Sequence, residues 1–160
     1  MSIKTVKFRD WIFEVDVELT QQTYANVEFG GAYSCTCGNC KNYLAFRESV
    51  FPDKIKVLFT QLGIDYTKEV EIMTNQKFSN GFYDTIGWFH FKGSIVSGKN
   101  AYTPLLGGGY TVELTSITDN FLIGFDPGDF MAFFEDKEGL IEVTFQTNIP
   151  WVIDPKLEQE

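Results

Sequence analysis

Three cysteines fall within six residues, Cys35-Thr36-Cys37-Gly38-Asn39-Cys40, and the chain holds no others. Thiolates this close in sequence can converge on one metal ion, and zinc takes four nitrogen or sulfur ligands in a tetrahedron. The only histidine, His90, is the natural fourth donor, so the expected metal set is Cys35, Cys37, Cys40 and His90. The C-x-C-x-x-C spacing is tighter than the paired C-x-x-C of common zinc knuckles. The same residues also suit a tight strand-to-helix junction, because free cysteine packs as a small, buried hydrophobe. An odd, clustered cysteine count does not describe a secreted disulfide framework, whose bridges join distant segments.

The elements that position this stretch read as follows. Residues 11–19 alternate, with Trp11, Phe13, Val15, Val17 and Leu19 against Glu14, Asp16 and Glu18, which predicts a half-buried strand. A second alternating run, Ala25, Val27 and Phe29, predicts its hairpin partner, and Gly30-Gly31 predicts a bend. If residues 32–37 are extended, Cys35 and Cys37 share a face, and Asn39 can cap a short helix that carries Cys40 in its first turn. Phe51-Pro52-Asp53 opens a clearer helix with Ile55, Leu58, Phe59 and Leu62 on one face, and Gly63 ends it. Residues 82–96 are apolar on both faces and predict a covered central strand that contains His90. The alternations at Tyr110, Val112 and Leu114 and at Phe121, Ile123 and Phe125 predict a further hairpin, and Ile141, Val143 and Phe145 a last strand. The whole is expected to be an α+β fold, mainly antiparallel β, with about eight strands in a sandwich-like or strongly bent sheet and one or two short helices. Residues 1–160 form one domain, with about 155–160 a frayed tail.

Charge narrows the function. The net charge is −9, and from residue 126 onward nine acidic residues face only Lys137 and Lys156. Phosphate recognition needs a basic face, so nucleic acid is not an expected partner. No apolar run approaches the roughly 20 residues of a membrane span and the N-terminus has no apolar leader, which predicts a cytoplasmic protein. Gly107-Gly108-Gly109 lacks the Gly-Lys-Ser/Thr ending of a phosphate loop, and Asp126, Asp129, Glu135 and Asp136 do not follow the calcium-loop spacing. No local pattern suggests a catalytic triad, so no catalytic residue is assigned and the protein is expected not to be an enzyme. An acidic surface can steer a basic protein partner, and Asp129, Glu135 and Asp136 are the candidate contacts.

Two resemblances add to this reading. Cys37-Gly38-Asn39-Cys40-Lys41 resembles the C-G-x-C-K segment of thioredoxin-like proteins over five residues. That resemblance implies thiol–disulfide exchange with Cys37 as nucleophile and Cys40 as resolving thiol, although long antiparallel runs do not suit a thioredoxin-like fold. More broadly, C-x-C-x-N-C-x-N from Cys35 to Asn42, Gly87-Trp88-Phe89-His90-Phe91 and the closing Pro150-Trp151-Val152 resemble a group of small bacterial proteins without a known activity. In size and charge the chain is also similar to immunity proteins that neutralise bacterial toxins, an analogy of class. The expected function is a non-enzymatic, immunity-like binding module for a basic partner with a possible zinc brace, and the alternative is a redox protein using Cys37 and Cys40.

Overall fold

The alternating run that begins at Trp11 stops at Asp16, whose side chain turns the strand into a helix. In the computed structural model, which describes residues 3–158, β1 (Ile3–Phe8) pairs antiparallel with β2 (Trp11–Asp16), and α1 (Val17–Ala25) follows at once. Asp16 Oδ1 accepts a hydrogen bond from Leu19 N at 3.1 Å, a side-chain cap on an otherwise unpaired helix donor. The predicted strand over 11–19 is therefore too long, and the predicted hairpin partner around Ala25 to Phe29 is helix end and loop. A one-turn helix, α2 (Gly31–Ser34), takes the place of the extended segment expected from Ala32. It is followed by α3 (Gly38–Phe46) and by α4 (Asp53–Leu62), which starts after Pro52 and ends at Gly63 in the left-handed region, φ 88°, as its sequence signals demand.

Seven strands make one antiparallel sheet: β1, β2, β3 (Glu71–Lys77), β4 (Tyr83–Ser97), β7 (Thr115–Thr118), β8 (Phe121–Pro127) and β9 (Leu140–Ile149). Its order is β1-β2-β4-β9-β8-β7, with β3 also on β4. A separate hairpin joins β5 (Tyr102–Pro104) to β6 (Tyr110–Val112). The expected pairing of the Tyr110 run with the Phe121 run does not form; β6 turns back on β5 across the glycines, and β8 pairs with β7 and β9. The α+β class and the antiparallel sheet agree with the sequence reading. Among the described residues no helix is long and apolar enough to cross a membrane.

One edge of β4 is shared. β3 pairs with Tyr83 to Trp88 and β2 with Gly93 to Ser97, so His90 and Lys92 face neither strand. Helix α1 fills the gap. The Tyr24 hydroxyl donates to His90 O at 3.0 Å and accepts from His90 N at 2.9 Å, and Thr20 Oγ1 accepts from Lys92 N at 3.1 Å. Buried backbone groups left unpaired would each cost about 1–3 kcal/mol, which explains why α1 carries buried polar side chains at these two positions.

The sheet separates two environments. Phe89 and Phe91 of β4, Val143 and Phe145 of β9, and Phe121, Ile123 and Phe125 of β8 share the face that meets α4, and all are buried. Trp88, His90, Glu142, Thr144 and Asp126 lie on the opposite face, where cross-strand register sets His90 beside Glu142 and Glu142 beside Asp126.

Candidate metal centre

The cysteine stretch is held at both ends. On the α2 side, Gly31 N donates to Glu69 O at 2.8 Å and Ala32 N to Glu69 Oε2 at 3.4 Å. A Cβ on Gly31 would stand 2.2 Å from Val70 O, so the close approach of α2 to the chain entering β3 requires glycine. On the α3 side, Asn42 uses both amide atoms on the C-terminal segment: Nδ2 donates to Pro150 O at 3.0 Å and Oδ1 accepts from Val152 N at 2.7 Å. The segment then crosses α3 so closely that a Cβ on Gly38 would lie 2.4 Å from Leu157 O. Residues 155–157 form a 3₁₀ turn, and Glu158 bonds the Tyr83 hydroxyl and pairs with Lys77 at 2.9 Å. The chain through Glu158 is thus docked where a frayed tail was expected; residues 159–160 lie outside the described part.

Between these anchors the three thiols converge. Cys35 and Cys37 are both extended, and Cys35 Sγ donates to Cys37 Sγ at 3.0 Å. Cys37, not Asn39, is the α3 N-cap, its sulfur accepting from Cys40 N at 3.4 Å, and Cys40 sits in the first turn as expected. The three Sγ atoms all lie within 4.8 Å of one another, close enough to hold a metal ion. A zinc–sulfur bond of about 2.3 Å sets tetrahedral sulfurs roughly 3.8 Å apart. Holding zinc therefore needs only a small widening of the Cys35–Cys37 pair.

The electrostatics differ along the cluster. Burial is the largest single influence on the Cys37 thiol and pushes it up, but the hydrogen bonds from Cys35, Cys40 and Asn39 together outweigh it and hold its pKa below the ordinary thiol value. Burial, reinforced by the neighbouring sulfurs, pushes buried Cys40 well above that value.

His90 is not in this set. Among the described residues the convergent group is Cys35, Cys37 and Cys40 alone. The expected fourth ligand is fully buried on the face of β4 opposite Phe89 and Phe91, with Asp129 and Lys137 as the charges that act on it, and neither ring nitrogen has a hydrogen-bond partner among the described residues. Strand alternation placed His90 on a sheet face correctly but carries no information on which loop lies over that face. Asp129, Glu135 and Asp136 lie exposed on the 128–138 segment between β8 and β9, and Asp136 pairs with Lys92 at 3.1 Å.

Sequence reasoning missed three contributors. Glu69 is buried and holds α2. Asn42 is a clamp, and only its place in the C-x-N-C-x-N segment marked it. Phe29 and Tyr33, the latter two residues before Cys35 in the chain, stack at 3.9 Å and 12° while remaining about half exposed, 47 and 56 %. No protein-family model, curated protein or solved structure matches the chain.

Proposed function

We propose that the protein is a non-enzymatic binding module that meets a basic protein partner through its acidic 128–138 segment, as immunity proteins do, and that zinc at Cys35, Cys37 and Cys40 braces its helical side. The observation that carries the partner reading is the make-up of that segment. Phe130 and Met131 are exposed, 62 and 53 %, between Asp129 on one side and Glu135 and Asp136 on the other. Met131 holds a left-handed φ of 58°, a strained conformation for an unbranched residue that is typical of interaction sites. An apolar tip ringed by carboxylates suits a partner that offers lysine or arginine around an apolar hollow.

The test is retention on immobilised polylysine and on basic toxin domains. Binding should weaken at least tenfold between about 50 and 200 mM salt, and the triple variant Asp129→Asn, Glu135→Gln, Asp136→Asn should lose it. Retention that ignores both changes removes the reading.

The zinc brace is supported by the convergence of three thiols whose backbone donors already point at sulfur. Elemental analysis of protein prepared under reduction should find about one zinc per chain, and chelation should lower stability. One observation favours a second reading: an exposed Cys37 of lowered pKa caps α3, with buried Cys40 three residues on. A metal-free protein that reduces insulin disulfides, and stops doing so as Cys37→Ser, would replace the zinc reading with thiol–disulfide exchange.

A further inference from the structure

We infer that the zinc at Cys35, Cys37 and Cys40 keeps one coordination position open to solvent, and that the ligand suited to it is a neutral imidazole lying against the Phe29–Tyr33 ring pair. This rests on the zinc reading above and deepens it from a brace to a binding site.

Ligand count comes first. Zinc completes a tetrahedron, and structural sites do so with four protein donors whereas exchanging sites use three. Among the described residues, no His, Asp or Glu joins the three sulfurs within 4.8 Å. The one histidine is fully buried beside Glu142 of β9, with Asp129 and Lys137 of the 128–138 segment as the charges that act on it, and does not join the convergent group.

Access sets the direction of the open position. Cys40 is buried on the first turn of α3, Cys35 is half-buried and Cys37 is exposed. The solvent side of the cluster is therefore the Cys35–Cys37 side. Tyr33 lies two residues before Cys35 in the chain, and its ring stacks on that of Phe29 in a flat, half-exposed aromatic pair.

Charge and shape choose the ligand. Three thiolates around a divalent ion already carry one net negative charge, and a fourth thiolate or a carboxylate would add another within a chain of net charge −9. An imidazole nitrogen adds no charge, is a normal zinc donor and brings a flat ring that can stack on Phe29 and Tyr33. On binding, the nitrogen lone pair forms the zinc–nitrogen bond as a water leaves, and no proton or electron changes hands.

The experiment uses the full chain loaded with cobalt in place of zinc, whose visible absorption reports the ligand set. Cobalt should saturate at one per chain with thiolate charge-transfer bands, and added imidazole should shift the visible bands saturably, with acetate inert at the same concentration. Phe29→Ala with Tyr33→Ala, both at exposed positions, should weaken imidazole about three- to tenfold while leaving cobalt affinity unchanged. Acetyl-histidine amide serves as the second arm. Tighter binding than free imidazole assigns the ligand to a partner's histidine, and weaker binding assigns it to a small molecule. A cobalt protein whose spectrum ignores imidazole, or whose imidazole affinity does not change in the double variant, overturns the inference and leaves the zinc reading standing. A chain that binds no cobalt removes both.

Discussion

Phe51→Ala will destabilise the protein by about 3–5 kcal/mol, roughly a fifth or more of the stability of an ordinary domain. Phe51 lies outside every helix and strand, in the short approach to α4, yet its ring meets five others. Ring centroids stand 5.0 Å away at Phe145, 5.6 Å at Tyr66, 5.8 Å at Phe59 and Phe121, and 5.9 Å at Phe89. These partners come from α4, the loop after it, β4, β8 and β9, so one side chain joins the helical layer to three strands. Truncation removes buried area and leaves a void walled by rings that belong to separate elements and cannot close together. Urea denaturation of wild type and variant measures the loss. Val57→Ala, at an exposed position of α4, is the control and should move stability by no more than about 0.5 kcal/mol. A Phe51→Ala change below about 1.5 kcal/mol would show that the five-ring contact does not organise the core.

The second large effect is hidden in the wild type, because two buried groups oppose each other. Burial pushes His90 down from 6.5 to about 4, with Asp129 acting against and Lys137 with that shift. Burial pushes Glu69 up from 4.5 to about 7 in spite of Arg47 at 3.9 Å, and Asp65 adds to the rise. For His90 the unfolded chain binds more protons between about pH 4 and 6.5, so its contribution is full above 6.5 and is lost as pH falls towards 4. For Glu69 the folded chain binds more protons between about pH 4.5 and 7, so stability is full below 4.5 and is lost as pH rises through 7. Each displacement corresponds to about 3 kcal/mol.

Across the shared window the two slopes cancel, and these residues leave wild-type stability nearly level there. Glu69→Gln keeps the acceptor for Ala32 N and removes the charge; stability should then rise by about 3 kcal/mol from pH 4 to 6.5. His90→Phe leaves no new orphan, because neither ring nitrogen has a partner among the described residues; stability should then fall by about 3 kcal/mol from pH 4.5 to 7. Denaturation midpoints across this range for both variants measure the slopes, and two slopes of the same sign would contradict the burial assigned to one of the groups.

Local signals and spatial neighbours were legible to different degrees. Pro52, Asp53 and Gly63 placed α4 nearly to the residue, because each acts on backbone within one turn of itself. The alternation of Ile141, Val143 and Phe145 gave β9 its buried face for the same reason. Alternation misled at Val17 and Leu19, where the pattern continues but Asp16 caps a helix that starts at Val17. It misled again at residues 110–125, where turn signals marked strand ends without naming partners.

At the candidate site, chain connectivity alone sets Cys35, Cys37 and Cys40 in one short turn at a helix start, since six residues of chain leave them little room to separate. Residue types and their alternation also set the antiparallel β-rich class and the acidic end. Only the tertiary structure decided that His90 stays apart from the thiols, that Glu69 is buried under α2, that Phe51 joins five rings and that Asn42 grips backbone 108 and 110 residues away. Local propensity acts through bonds and neighbours within a turn or two, while these contacts depend on which faces burial brings together. That choice minimises the exposed area and unpaired polar groups of the whole chain, a quantity no single segment carries.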